Sequence, residues 1–263
     1  MSDAQHLVTL KDWSAEDIRQ VVDAGIAVKR DPAKYSTALA GKSAALLFQK
    51  TSTRTRCSAE VGMFQLGGQG VNLDWRATNF GPADLADEMR VLSTYFDFLL
   101  VRLLEFEDVR TTAEAVDVPT MNGCCNRYHP LQALCDLQTI QEKFGHLEGV
   151  RLTYTGIHNN VTNSLIIAAL RMGMQINVVA PEMNEAARDP ELMQIAAASD
   201  NYRTFDNLRE AVLESDVVYT DTWLDMEFFN DERFEPEKER RIRLFGPYQL
   251  NRQVLEGSEA LVM

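Results

Sequence analysis

The sequence lacks most of the signatures that mark the common cofactor, metal and nucleic-acid proteins. Its four cysteines, Cys57, Cys124, Cys125 and Cys135, include no C-x-x-C pair. The adjacent Cys124 and Cys125 do not have the spacing of a zinc knuckle. Neither G-x-x-x-x-G-K-[ST] nor G-x-G-x-x-G follows an apolar run, so the P-loop and the dinucleotide fingerprint are both excluded. No apolar run reaches the length of a membrane span. The opening MSDAQHLVTLKDW is polar and carries acid early, unlike a secretory leader. There is no internal repeat and no low-complexity tract. Positive charge is the scarcer sign: 26 Lys and Arg stand against 39 Asp and Glu, for a formal net charge of −13. No basic stripe exists to neutralise phosphates, which argues against nucleic acid and anionic membrane as partners. The expectation is a cytoplasmic protein with reduced thiols. An anionic small substrate would need a local positive pocket against this field, which directs attention to the few clustered arginines.

The chain has 263 residues, enough for one large domain or two ordinary ones. Apolar runs alternate with amphipathic stretches, the pattern of a parallel α/β architecture. Ser14 with Asp17 three residues on reads as a helix N-cap, followed by the stripe Ile18, Val21, Val22. Ala44–Phe48 suits a buried strand, and a helix through Phe64 is expected to stop at Gly67–Gly68. Strands follow at Val71–Leu73, Phe98–Val101 and near Val118–Met121. A helix starting at Pro82 turns Leu85, Met89 and Leu92 inward, and another spans Asp108–Ala115. A long amphipathic helix runs from Pro130 to Lys143. A second α/β series then has strands at Val150–Thr155, Gln175–Ala180 and Asp216–Thr220, with helices near Asn160–Met172, Pro190–Ala198 and Leu208–Leu213. Asp225–Arg243 reads as a loop plus a charged helix, and Ala260–Met263 begins one more strand. The division is two α/β domains, 1–145 and 146–263, each a parallel sheet flanked by helices and joined through the helix after Pro130.

Four segments carry chemistry. Lys50-Thr51-Ser52-Thr53-Arg54-Thr55-Arg56 lies between a strand and a helix. Backbone N–H groups at a helix start, hydroxyls and forked guanidinium groups together form an anion site. On composition alone, a solvated turn with a Ser/Thr cap and surface arginines fits as well. His129-Pro130-Leu131-Gln132 places a histidine just outside a helix, because proline disfavours the α conformation before it. His129 and Gln132 then project from the first turn towards one small polar ligand, although a capping histidine is the commoner use of this arrangement. Asn159-Asn160 and Asp221-Thr222-Trp223-Leu224-Asp225-Met226 both follow strand ends, where ligands bind in parallel sheets. Carboxylates there suit a cationic amine; the plainer alternative is that the asparagines cap a helix and the aspartates end a strand.

Taken in order, these segments resemble the aspartate/ornithine transcarbamylase family. Phe48-x-Lys50-x-Ser-Thr-Arg-Thr-Arg is similar to the family's carbamoyl-phosphate motif. His129-Pro-x-Gln132-Ala-x-x-Asp136-Leu137 is similar to its second motif, and Arg102 falls where the family has a further arginine. Asp87 with Arg90-Val91-Leu92-Ser93, Asn159-Asn160 with Ser164-Leu165, and Tyr219-Thr220-Asp221-x-Trp223 extend the likeness over essentially the whole chain. The resemblance implies a carbamoyltransferase: Ser52, Thr53, Arg54 and Thr55 hold the phosphate of carbamoyl phosphate, Arg102 and His129 polarise its carbonyl, and Gln132 orients its amide. It implies no metal, no organic cofactor, and a homotrimer. The paired asparagines and Asp221 fit the ornithine-type branch, with Asn160, Asp221, Asp225 and Met226 at the amine.

Three departures shape the expectation. Asp225-Met226-Glu227 stands where ornithine enzymes read serine-methionine-glycine, which points to ornithine or to a related basic amino acid or diamine. The loop Asp74–Phe80 differs from the family's, which reaches into a neighbouring subunit's site. The likeness also runs out at Leu261-Val262-Met263, just before the family's His-Cys-Leu-Pro, so an incomplete C-terminal end is expected. The alternative reading is a truncated or degenerate paralogue that binds carbamoyl phosphate without turnover.

Overall fold

Continuous apolar runs become strands buried on both faces, as parallel sheets require. The computed structural model describes residues 6–224 and 232–263. Two units divide the chain, Met1–Gln138 and Thr139–Met263.

The first unit begins with α1 (Ala15–Arg30), started by a capping box between Ser14 and Asp17. There follow β1 (Ser43–Phe48), α2 (Thr53–Gln65), β2 (Gln69–Asp74), α3 (Leu85–Ser93), β3 (Phe98–Arg102), α4 (Phe106–Ala115), β4 (Thr120–Asn122) and α5 (Pro130–Phe144), the last crossing the division. The strands are parallel in the order β2-β1-β3-β4. Ala44, Ala45, Leu46 and Leu47 of β1 are at most 1% exposed, and each fully buried leucine contributes roughly 1.5–3 kcal/mol. Because β2 is added on one side of β1 and β3 on the other, the order reverses between β1 and β3, opening a crevice at their C-terminal ends.

The second unit holds β5 (Arg151–Thr155), α6 (Asn160–Arg171), β6 (Gln175–Val179), α7 (Pro190–Ala197), β7 (Tyr202–Thr204), α8 (Leu208–Leu213), β8 (Val217–Thr220), α9 (Glu235–Phe245), α10 (Arg252–Leu255) and β9 (Leu261–Val262). Its parallel order is β7-β6-β5-β8-β9, so the reversal falls between β5 and β8. From Val161 to Ala169, α6 is buried throughout. Leu165–Ala169 are apolar, and the polar Asn163 and Ser164 are hydrogen-bonded, Asn163 Nδ2 donating to the Ala187 carbonyl and the Ser164 hydroxyl to the Asn160 carbonyl.

The two-sheet parallel α/β architecture agrees with the sequence reading. One helix start differs: α3 begins at Leu85 and not at Pro82, because Asp84 caps it by accepting from the Asp87 N–H at 3.1 Å. A local side-chain acceptor therefore outweighs the proline signal. The expected stop of α2 is present. Gly67 has φ +85°, and a Cβ there would lie 2.6 Å from the Ser36 carbonyl oxygen. Gly67→Ala is expected to destabilise the protein by about 1–3 kcal/mol through αL strain and this clash. Urea unfolding of the two proteins checks it; equal midpoints would remove the constraint. Among the described residues no helix is long and apolar enough to cross a membrane.

Candidate functional site

In the first unit, chemistry gathers at the reversal point. Phe48 pairs with Arg102 across β1 and β3, so the Lys50–Arg56 segment starts beside Arg102. The Gln49 N–H donates to the Arg102 carbonyl at 2.9 Å, and Gln49 Oε1 accepts from the Leu104 N–H at 2.8 Å. These bonds tie the two strand ends together. Ser52 caps α2 and donates its hydroxyl to Thr55 Oγ1 at 2.9 Å. The first turn of α2 thereby presents N–H groups, hydroxyls and the exposed Arg54 to solvent, the elements of an anion site. A cavity of about 370 Å³ borders this turn, lined by Ser52 and Thr53 together with Arg56, Cys57 and Asn72.

Arg102 is half-buried. Its Nη1 donates to the Gly123 carbonyl at 3.1 Å, while its Nε is buried with no hydrogen-bond partner among the described residues. A buried guanidinium N–H left in this way costs free energy unless a ligand supplies an acceptor. Cys124, next to Gly123, has φ +144°, a conformation costing a non-glycine residue of order 1–3 kcal/mol. The segment is held there because Asn122 Oδ1 accepts from the Cys124 N–H at 3.0 Å and Asn126 Oδ1 from the Phe106 N–H at 2.9 Å. Strain stored against such tethers is typical of ligand-binding segments.

This loop delivers His129 to the start of α5. His129 keeps some accessible surface but is enclosed by protein on most sides. Burial, reinforced by the positive charges of Arg102 and Arg54, pushes its pKa down to about 3. The imidazole is therefore neutral at physiological pH. The two arginines act on it because three separate chain segments converge here. One turn on, Gln132 Nε2 donates to the buried Asp136 at 3.0 Å, which turns the Gln132 carbonyl oxygen the other way. Ser52, Thr53, Arg54, Thr55, Arg102, His129 and Gln132 thus share one end of one sheet.

In the second unit the corresponding crevice lies after β5 and β8. Asn159 caps α6 by accepting from the N–H groups of Val161 and Thr162 at 2.9 and 3.2 Å. Its Nδ2 donates to Asp221 Oδ2 at 3.0 Å. Asn160, the residue expected at the amine, is half-buried, and its carbonyl accepts from the Ser164 hydroxyl at 3.0 Å. His158 is buried and faces Asn163 Oδ1 at 2.7 Å; burial lowers its pKa, so it too is neutral. Asp225 and Met226 lie outside the described residues. The sequence reading missed the Asn159–Asp221 contact, the Cys124 backbone and the Gln49 tie. Only the first had a signal, since asparagine alone among capping residues carries both an acceptor and N–H donors.

The fold and site define a two-unit parallel α/β protein with an anion crevice at one switch point and a carboxylate–amide crevice at the other. The comparisons give the particular family. Residues 5–142 match "Aspartate/ornithine carbamoyltransferase, carbamoyl-P binding domain", and residues 148–263 match the "Asp/Orn binding domain" of the same family. Ornithine carbamoyltransferase of Bacillus subtilis is 38% identical over 93% of this chain and 76% of its own length. That of Methanobrevibacter smithii is 42% identical over 82% of this chain and 71% of its own. The ornithine carbamoyltransferase structure from Pyrococcus furiosus superposes with a TM-score of 0.85 at 33% identity, covering all of this chain and 85% of that one. The chain belongs to the aspartate/ornithine carbamoyltransferase family, on its ornithine branch.

Proposed function

We propose that the protein transfers the carbamoyl group of carbamoyl phosphate to the δ-amine of ornithine, releasing phosphate. The observation that carries the reading is the convergence of Arg54, Arg102 and a neutral His129 at the β1–β3 switch point. The α2 N-terminus with Ser52, Thr53, Arg54 and Thr55 binds the phosphate. Arg102 and His129 donate to the carbamoyl oxygen, and the Gln132 carbonyl accepts from the carbamoyl amide. An uncharged amine attacks the carbonyl carbon, giving a tetrahedral intermediate whose oxyanion these preplaced donors stabilise. The C–O bond to phosphate then breaks, the proton shed by the attacking amine passes to the departing phosphate oxygen, and the same positive cluster holds the resulting hydrogen phosphate dianion. His129 serves as a hydrogen-bond donor and not as an acid, since its imidazole carries no charge to lose. Asn160 and Asp221 contact the amino acid, joined by Asp225 and Met226. The domains fall at 1–145 and 146–263, the assembly is a homotrimer, and the compartment is the cytoplasm; family membership supports these three points.

The test is turnover with carbamoyl phosphate against ornithine, aspartate, other basic amino acids and diamines, reading phosphate release and carbamoylated product. Ornithine should give the highest kcat/KM; no product from any amine would overturn the reading. Arg54→Ala should weaken carbamoyl-phosphate binding by about 1.5–3 kcal/mol, roughly ten- to a hundredfold, because the phosphate loses a charge-assisted partner. Unchanged affinity by calorimetry would remove Arg54 from the site.

A further inference from the structure

Asn159 is expected on sequence grounds to cap a helix, and it does. The same side chain also reaches from the end of β5 to the end of β8. Its Oδ1 accepts from the N–H groups of Val161 and Thr162, while the Thr162 hydroxyl oxygen accepts from the Asn159 N–H at 3.2 Å. Both faces of the helix start are therefore closed, which fixes the Asn159 rotamer. With the oxygen committed inward, Nδ2 is left aimed at Asp221 Oδ2, 3.0 Å away. The other Asp221 oxygen accepts from the Thr222 N–H at 2.7 Å.

The loop carrying Asp221 is itself held. The Thr222 hydroxyl donates to the Leu224 carbonyl at 2.8 Å, and Arg241 Nη1 donates to the Trp223 carbonyl at 2.6 Å. Thus the Asp221 carboxylate is pinned at each oxygen, and a carboxylate has about four acceptor positions. Among the described residues two remain for a cation. At the end of β5, Gly156 takes φ +142°, and the Tyr154 hydroxyl donates to the Ile157 carbonyl at 2.8 Å.

We propose that Asn159 is the positioning residue for the amine substrate: it holds the Asp221 carboxylate in the one orientation that receives the substrate's ammonium group. This rests on the carbamoyl-transfer reading only in taking Asp221 as that receptor. The chemistry requires asparagine in particular. Serine and aspartate cap helices about as well as asparagine does, yet neither can cap through an oxygen and donate from a second atom to a carboxylate. Without the donor, Asp221 regains rotamer freedom that ornithine binding must then remove.

Two variants separate positioning from capping. Asn159→Ser keeps the cap and loses the donor. Asn159→Asp keeps the cap and sets a second carboxylate against Asp221, so that the two repel. The KM for ornithine should rise about tenfold in Asn159→Ser and further in Asn159→Asp. KM for carbamoyl phosphate and the thermal midpoint should stay close to the parent's. An ornithine KM equal in all three proteins overturns the proposal, and so does a parallel rise in both KM values with a lowered midpoint, the mark of a structural role. If the parent carbamoylates no amine, the carbamoyl-transfer reading falls, and crystal structures decide the positioning. An Asp221 carboxylate turned away from residue 159 in Asn159→Ser supports the proposal; one left in its parent orientation overturns it.

Discussion

Replacing Arg102 by methionine is expected to lower kcat for carbamoyl transfer by about a hundred- to a thousandfold, the usual loss when one oxyanion donor is removed. Methionine keeps the stem packed at the end of β3 and removes only the guanidinium. That group donates to the Gly123 carbonyl and presents a buried Nε with no protein acceptor within the described residues. The substitution therefore acts twice, by deleting the proposed donor to the carbamoyl oxygen and by removing the hydrogen bond to Gly123, next to the strained Cys124. Arg102→Lys tells the two effects apart. Lysine restores a charge without the planar fork, so it should recover little of the rate if geometry matters and much of it if charge suffices. Steady-state and single-turnover measurements with carbamoyl phosphate and ornithine give kcat directly. A rate within tenfold of the parent in Arg102→Met would end the oxyanion role.

The frame on which Arg102 sits was legible in the residues because its signals are local. Ala44–Phe48 is a run of apolar side chains with nothing to expose, and it is buried on both faces. Ser14 and Asp17 stand at capping-box spacing and form that box. Gly67 is needed where the chain turns with positive φ against the Ser36 carbonyl. Where two local signals competed, the weaker was chosen: Pro82 marks a turn, and Asp84 caps the helix. The edge strand Tyr202–Thr204 has no apolar pattern to announce it, because an edge strand need bury little.

The site was legible only as residue types. A strand followed by Ser-Thr-Arg-Thr-Arg and a helix announces an anion site, since the donors come from contiguous backbone. The electrostatics of His129 come from Arg54 and Arg102, 75 and 27 positions before it in the chain, and no window on the sequence contains all three. Cys124 shows the same limit, because cysteine has no preference for positive φ and is held there by Asn122 and Asn126 from either side. Asn159 and Asn160 are neighbours of identical chemistry. Only the direction of helix α6 decides which of them faces Asp221.

Acid should destabilise the protein through His129. An unfolded imidazole takes up its proton near pH 6.5, whereas the folded His129 refuses one until about pH 3. Between those values the unfolded state binds more protons, so the unfolding free energy falls as pH falls. The contribution is fully present above pH 6.5 and is lost at about 1.4 kcal/mol per pH unit below it, on the order of 3–5 kcal/mol across the window. His129→Gln fills similar space with a group that does not titrate. Urea unfolding of parent and variant across this range should show the parent's stability dropping more steeply, and the difference isolates His129. His6, His158 and Asp97 are also shifted down and steepen both curves alike. Parallel curves would mean that His129 titrates normally in the folded protein. Arg102→Met supplies a second check, because removing one of the two positive charges should raise the His129 pKa and flatten the acid limb. Burial, with the two arginine charges adding to it, keeps this imidazole neutral at a cost in acid stability. On the proposed reading the same uncharged N–H serves the carbamoyl oxygen, so one residue ties the acid limb of stability to the chemistry of the site.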